Sequence, residues 1–235
     1  MSRTYFEFKQ FTIHHDLCAM KVGTDGVLLG TWADVEHAQT VLDIGTGTGL
    51  LAIMTAQRSK AHITGIDIDK DAIKQARRNG ELSPWSNRLR FEEADVLTYS
   101  PQTTYDVIIC NPPFFQNSLT SPDNKRTKAR HTASLPLPEL AKSVNRLLKE
   151  DGHFFAILPT EVGEEFIQFC WEHGLNLHQK CKVHTKANKP AKRVLLDFKK
   201  GRTSYPVDTY ISLLSDDGLL SPTWASLSKD FYLEK

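Results

Sequence analysis

An apolar run that ends in an amide and two prolines is the part of the sequence best suited to chemistry. The run Tyr105–Cys110 favours a buried strand, and neither of the two prolines after Asn111 can extend a strand ladder. The chain must therefore leave the sheet at Asn111. The Asn111 Oδ1 atom and the Pro112 carbonyl can accept hydrogen bonds from an exocyclic NH2 group, while Phe114 can stack on the ring that carries it. These residues predict a site where a ring amine is methylated, although a buried strand with a proline turn would explain them equally well.

A glycine-rich segment lies between a predicted strand, Val41–Ile44, and a predicted helix, Leu50–Arg58. Its spacing departs from the G-x-G-x-x-G pattern of dinucleotide sites. An acid, Asp43, stands two residues before the first glycine, where it would repel a pyrophosphate and attract a cation. S-adenosyl-L-methionine carries an ammonium and a sulfonium but no phosphate, so it fits this segment better than NAD. The glycines are Gly45, Gly47 and Gly49.

Two further acids end the next two predicted strands. Asp67 follows the last glycine by 18 residues, where a carboxylate can accept hydrogen bonds from both ribose hydroxyls. Asp95 is expected to accept from the adenine amino group. Taken singly, Asp43 could be a turn residue, Asp67 a helix cap and Asp95 a strand terminator. The three acids and Asn111 end four successive predicted strands, and the carboxyl ends of parallel strands meet at one edge of a sheet. Taken together, the four residues therefore favour a cofactor site.

Alternation of strands and helices from residue 40 to residue 173 predicts an α/β, Rossmann-like fold with a mostly parallel, seven-stranded sheet. After Gly174 the helices stop, and the following strands are expected to form an antiparallel edge. These strands are Asn176–His184, Arg193–Lys199 and Thr209–Leu214. The expected helices of the second half are Leu137–Glu150, Val162–His173 and, at the tail, Ser221–Leu233.

The chain before the first strand of this alternation predicts a small extension. The alternating segment Tyr5–Ile13 indicates a hairpin, and Val27–Ala33 a short helix capped by Thr24 or Asp25. The inward residues of the hairpin are expected to be Phe6, Phe8, Phe11 and Ile13. We therefore divide the chain into residues 1–36, an extension covering the cofactor site, and residues 37–235, the main domain.

Composition narrows the class of protein. The chain has 235 residues and a formal net charge of +1, which suits one α/β domain and confines nucleic-acid binding to local clusters. No leader sequence and no long apolar span is evident, so a cytoplasmic location is expected. The cysteines form no C-x-x-C pair, which argues against a structural zinc or a disulfide framework. They are Cys18, Cys110, Cys170 and Cys181, and Cys110 is interpreted as a core residue rather than a nucleophile.

Two basic clusters are candidates for contact with RNA phosphates. The first follows the strand that ends at Asn111, and the second lies between two of the late strands. A solvated surface is the simpler explanation of such clusters, but the first directly follows the amine site, which favours phosphate contacts. Their residues are Lys125, Arg126, Lys128 and Arg130 in the first and Lys189, Lys192 and Arg193 in the second.

Together these motifs resemble those of class I S-adenosylmethionine-dependent methyltransferases. Asp43–Gly49 matches their first motif, Asp67 the second, and Asn111–Phe114 the amine-methylating N-P-P-[FY] motif. Along nearly the whole chain, the sequence is similar to the bacterial tRNA1(Val) adenine-37 N6-methyltransferases. The segments that carry this likeness are Phe11–Trp32, Ser83–Trp85, Asn111–Phe115, Arg193–Leu196 and Phe231–Leu233.

The resemblance implies S-adenosyl-L-methionine as cofactor, no metal, and tRNA1(Val) as substrate. It also implies that Thr24 touches the methionine end of the cofactor. Three other hypotheses stay open from the sequence: a methyltransferase acting on rRNA or DNA, one acting on a protein glutamine, and a nucleotide-binding module without catalysis.

Overall fold

The computed structural model describes residues 4–17, 21–113, 135–201 and 203–233. Within these ranges an antiparallel hairpin precedes one central sheet of eight strands. The hairpin strands are β1 (Tyr5–Glu7) and β2 (Thr12–His14). The sheet strands are β3 (Thr40–Ile44), β4 (His62–Asp67), β5 (Leu89–Glu93), β6 (Tyr105–Cys110), β7 (Leu148–Pro159), β8 (Leu175–Lys186), β9 (Ala191–Lys200) and β10 (Val207–Leu214).

Helices cover both faces of the sheet, as the strand and helix alternation predicts. In the described part of the chain no helix is both long and apolar enough to span a bilayer. The predicted helix from Leu137 ends at Leu147 because β7 begins at the next residue, and the tail is helical over seven residues only. The helices are α1 (Thr24–Trp32), α2 (Leu50–Arg58), α3 (Lys70–Leu82), α4 (Leu137–Leu147), α5 (Thr160–Glu172) and α6 (Pro222–Ser228).

The strand order is β10-β8-β9-β7-β6-β3-β4-β5. All neighbouring pairs are parallel except those that β9 makes with β7 and β8, so β9 alone runs in the opposite direction. This confirms the predicted α/β class with its antiparallel element.

Two details differ from the prediction: the sheet has eight strands rather than seven, and β10 is parallel to its neighbour rather than antiparallel. Both edges of β9 are already occupied by β7 and β8, so β10 cannot pair with the strand that precedes it. It pairs instead with the outer edge of β8, which runs in the same direction.

The hairpin packs beside the C-terminal tail. Phe8, Phe11 and Ile13 are buried as predicted, whereas the prediction for Phe6 is wrong, because its side chain is 37% exposed. The Lys9 N–H donates to the carbonyl of Phe231, so the two chain ends are joined.

Helix α1 packs closely on α2. A Cβ atom at Gly30 would lie 2.6 Å from the Met54 sulfur, so glycine permits the close approach. The predicted side-chain cap is absent: Gly23 is the N-cap, and neither Thr24 nor Asp25 caps the helix. Asp25 Oδ2 instead accepts a hydrogen bond of 2.8 Å from Arg193 Nε.

Candidate active site

The carboxyl ends of β3, β4 and β6 lie side by side, and they bring together most of the predicted site. In the ladders, Asp43 is paired with Gly65 on one side and Ile109 on the other. Asp67 ends β4 two residues after Gly65, and Asn111 follows β6 two residues after Ile109. The three polar side chains therefore stand at one edge of the sheet.

The glycine loop turns at this edge with its backbone in the left-handed region. Gly45, Gly47 and Gly49 have φ angles of 69°, 54° and 82°, which favour glycine strongly. A Cβ atom at Gly45 would meet nothing within 4 Å, whereas one at Gly49 would lie 3.3 Å from Ala76 and Phe91. The last glycine thus allows close packing against α3 and β5, and the first presents its backbone to open space.

Asp43 is a buried carboxylate with one unused oxygen. It is 1% exposed, and its Oδ2 atom accepts hydrogen bonds from the Thr46 hydroxyl at 2.6 Å and the Ala52 N–H at 3.2 Å. The Oδ1 atom is buried and has no partner among the described residues. Burial, with a smaller contribution from the negative charge of Asp67, raises the pKa of Asp43 to about 7. A cation at Oδ1 would satisfy this oxygen and favour its charged form.

Asp67 fastens the glycine loop to the end of β4. Its Oδ2 atom accepts from the Gly47 N–H and its Oδ1 atom from the Asp69 N–H, both at 2.9 Å. Burial is the main cause that raises the pKa of this carboxyl group. The helix-cap alternative for Asp67 is wrong, because the N-cap of α3 is Asp69, whose side chain accepts from the N–H groups of Asp71 and Ala72.

Asp95 lies just beyond β5 and is exposed. Its Oδ1 atom accepts from the Leu97 N–H at 2.9 Å, so it also shapes the turn that ends the strand. The Ala94 N–H donates to the Asp67 carbonyl, which keeps the start of this turn beside the end of β4. Asp95 therefore shares the edge with the other acids.

Asn111 is half-buried at the end of β6, and Pro112 after it is buried. Beneath them Cys110 is enclosed in the core, where burial and then the charges of Asp43 and Asp67 raise the pKa of its thiol well above the ordinary value. A thiolate nucleophile is disfavoured there, in line with the interpretation of Cys110 as a core residue. Other predicted residues lie outside the described ranges: Phe114, Lys125, Arg126, Lys128 and Arg130.

The second basic cluster stands at the same edge, since β8 ends there and β9 begins there. Lys189 and Lys192 are exposed in and after the turn between these strands. Arg193 is tied to Asp25 at the start of α1 and so joins the extension to the sheet. Thr24, the predicted cofactor contact, occupies the first turn of the same helix.

Sequence reasoning missed Asn79, a fully buried residue of α3. Its Nδ2 donates to the carbonyls of Thr48, in the glycine loop, and of His14, in the hairpin, while its Oδ1 accepts from the His14 N–H. The signal in the sequence was an asparagine on the packed side of an amphipathic helix, where Gln75 is also buried. Its partners belong to distant parts of the chain, so no local pattern reveals them.

One reversed strand in the central sheet, a glycine loop after β3 and an Asn-Pro-Pro segment after β6 together define a class I methyltransferase fold. The model of the methyltransferase small domain family matches residues 19–165. Among solved structures, a predicted O-methyltransferase of Agrobacterium tumefaciens superimposes with a TM-score of 0.69 over 88% of this chain and 96% of its own, at 21% identity. That likeness concerns the fold.

Relatives of full length are similar to this chain throughout. The tRNA1(Val) (adenine(37)-N6)-methyltransferase of Phocaeicola vulgatus is 47% identical over 99% of both chains. The protein of the same name from Parabacteroides distasonis is 42% identical over the whole of both. The chain belongs to the tRNA1(Val) (adenine(37)-N6)-methyltransferase family.

Proposed function

We propose that this protein transfers a methyl group from S-adenosyl-L-methionine to the N6 amine of an adenine in tRNA, and that the adenine is position 37 of tRNA1(Val). The observation that carries the proposal is the position of Asn111-Pro112 beside the Asp43 and glycine-loop edge, in a chain that matches relatives of this name along its full length. A tRNA substrate fits the cytoplasmic location expected from the sequence.

The cofactor edge fits a cation-bearing nucleoside. Asp43 Oδ1 supplies a buried, unused acceptor for positive charge, and the open backbone at Gly45 and Gly47 allows close approach of a ligand. Asp67 keeps spare lone pairs for ribose hydroxyls although both of its oxygens already accept an N–H. The Asp95 carboxylate would accept a hydrogen bond from the adenine amino group of the cofactor. When bound, S-adenosyl-L-methionine supplies the electrophilic methyl group on its sulfonium.

Thr24 and Gly49 complete the proposed cofactor site. Thr24 is assigned to the methionine end, because α1 is anchored over the catalytic edge by the pair between Asp25 and Arg193. In this arrangement residues 1–36 cover the cofactor and residues 37–235 form the catalytic domain.

Asn111 and Pro112 hold the amine to be methylated. Their oxygens accept hydrogen bonds from the two N6 hydrogens, which draws the nitrogen towards tetrahedral geometry and turns its lone pair away from the ring. Methyl transfer is then a matter of alignment, and no covalent intermediate on the protein is needed. Phe114 is assigned to stacking on the adenine.

Phosphate contacts are assigned to the two basic clusters, because lysine and arginine side chains that contact phosphates position a nucleic acid without reading its sequence. Arg193 adds its charge from within the ion pair with Asp25. The other contributors are Lys125, Arg126, Lys128, Arg130, Lys189 and Lys192.

The test is methylation by the purified protein with labelled S-adenosyl-L-methionine and four separate acceptors: unmodified tRNA, rRNA, DNA and a release factor. Nucleoside mass spectrometry is expected to find N6-methyladenosine in tRNA and at one position of tRNA1(Val). Label in a protein glutamine, or in rRNA or DNA alone, would replace the proposed substrate. No binding of S-adenosyl-L-methionine by calorimetry would reject the proposal as a whole.

A further inference from the structure

The outer end of the sheet carries an exposed aromatic ring that has no role in the proposed function and lies beside lysines of the second basic cluster. Tyr210, on the edge strand β10, is 72% exposed. Its ring meets the His184 imidazole edge-on, with centroids 6.4 Å apart and planes at 88°. We call this surface the β10 face and define it by Lys182, His184, Lys189, Lys192 and Tyr210.

Strand pairing and core packing fix the orientation of the β10 face. Tyr210 is paired with Lys182 and Ser212 with His184 in the parallel ladder, and partners across a ladder project from the same side of a sheet. On the opposite side of β10, Ile211 is buried in the hydrophobic core. The ring of Tyr210 is thus presented to solvent by a strand whose other side is anchored.

The strand register places Tyr210 at the height of the amine site. The level of Tyr210 continues across the sheet through the pairs Tyr210↔Lys182, Lys182↔Val194 and Val194↔Leu158. On β7, Ala156 pairs with Cys110, and Leu158 follows Ala156 by two residues. Leu158 is therefore level with Pro112, which follows Cys110 by two residues. Four strand spacings separate β10 from β6, which corresponds to about 19 Å along the catalytic edge.

The positive charge around Tyr210 is available to a ligand. Among the described residues, the ammonium groups of Lys182, Lys189 and Lys192 have no ion-pair partner. Lys180, one step further from the edge, is instead paired with Glu164 of α5 at 3.2 Å. Within β10 the acid on this side is Asp208, which lies at the level of Lys180 and therefore further from the edge than Tyr210, while Asp216 and Asp217 lie in the turn after the strand.

We propose that the β10 face binds a second segment of the tRNA, with Tyr210 stacking on an unpaired base and the lysines contacting phosphates beside it. The inference rests on the proposed function and extends its substrate contacts. Exposed aromatic rings among cations are the combination by which proteins hold unpaired nucleotides. A second copy of the chain, paired edge to edge through β10, is the rival occupant. A second copy brings no phosphates to Lys182, Lys189 and Lys192, so the charge of the face favours the tRNA.

The experiment compares tRNA affinity in wild type, Tyr210→Ala and Tyr210→Phe. Loss of the ring is expected to weaken binding roughly tenfold, whereas Tyr210→Phe keeps the stacking surface and stays within about twofold of wild type. Trp171→Ala is the matched control, because Trp171 is 65% exposed near the end of α5, which leads away from the catalytic edge. It should leave tRNA affinity unchanged, and all variants should bind S-adenosyl-L-methionine as wild type does.

Three results would overturn the proposal, and they are distinguishable. If wild type methylates tRNA but Tyr210→Ala binds it with unchanged affinity, the β10 face is not a tRNA contact and the proposed function stands. If light scattering shows a dimer that Tyr210→Ala dissociates without a change in tRNA affinity, the face belongs to a second copy. If wild type neither binds nor methylates tRNA, the proposed function and this inference fail together.

Discussion

The charged side chains at the two ends of the catalytic edge differ in sign and in exposure to solvent. At the end formed by β3 and β4, the carboxylate of Asp43 is buried, that of Asp67 is half-buried, and both accept hydrogen bonds from N–H or hydroxyl donors. At the end formed by β8 and β9, Lys189 and Lys192 remain in water. Interactions of buried charges are strong and little screened, whereas those of exposed charges are weak and fall with salt.

The difference matches the two proposed ligands. A small cationic cofactor can be held by few, strong and pH-dependent contacts, while a large polyanion is held by many weak contacts that depend on salt. Five predictions test these two modes of binding and the boundary between them.

The largest effect is expected at the boundary between the two ends. Asn111→Ala should lower kcat about 100-fold or more, because the lost acceptor serves the reacting amine and contributes little to holding either ligand. Single-turnover methylation of tRNA, together with separate affinities for cofactor and tRNA, measures this. Asn87→Ala, an exposed residue in the 86–88 turn, is the matched control and should behave as wild type. Normal turnover in Asn111→Ala would remove the amine-binding role.

Asp43→Asn should weaken binding of S-adenosyl-L-methionine about 30-fold or more, because the positive charge of the bound cofactor then lacks the Asp43 carboxylate as its partner. The amide oxygen can still accept from Thr46 and Ala52, so the fold is retained. Calorimetry measures the affinity. Asp106→Asn, at the start of β6 and thus the opposite edge of the sheet, is the control for the same substitution. Equal cofactor affinity in Asp43→Asn and wild type would contradict the assignment of Asp43.

The same variant tests the cause of the raised pKa. A rise from 3.8 to about 7 corresponds to about 4 kcal/mol by which burial disfavours the charged form. The folded state binds the proton more tightly than the unfolded state, so this group's contribution to stability is full below pH 3.8 and is lost as pH rises to 7. Thermal unfolding should show Asp43→Asn gaining stability over wild type across this range.

Cofactor affinity should depend on pH in the opposite direction. A cation binds the carboxylate but not the neutral acid, so affinity should fall about tenfold for each pH unit below the pKa of about 7 and level off above it. Calorimetric titrations between about pH 5 and 8 measure the cofactor affinity across this transition. A flat profile in Asp43→Asn would assign the dependence to this group, and an equally steep profile there would exclude it.

The smallest effect is expected at the exposed end. Lys189→Gln with Lys192→Gln should reduce the slope of log affinity for tRNA against log salt by about 1 per lysine, with cofactor affinity unchanged. Fluorescence titrations at several salt concentrations give the slope. Lys60→Gln, exposed just before β4 and hence far from the catalytic edge, is the control. An unchanged slope in the double variant would retire this turn as a tRNA contact.

Local patterns were reliable where neighbouring residues decide the outcome. The strand Tyr105–Cys110 and the helix Leu50–Arg58 have the bounds that the sequence predicts, because an apolar run ended by prolines and a glycine loop before a helix each act on their own neighbours. Capping was less reliable: Asp69 caps α3 and Gly23 precedes α1, although Asp67, Thr24 and Asp25 were equally good candidates by composition.

By itself the sequence determined the order of strands and helices, the glycine loop with its acid, and the amide at the end of β6, since each depends on residues close together in the chain. Only the tertiary structure decided the partner of β10, the contacts of Asn79 and the ion pair of Arg193 with Asp25, which are 168 residues apart. Such choices depend on which edges and donors remain free once the sheet has formed.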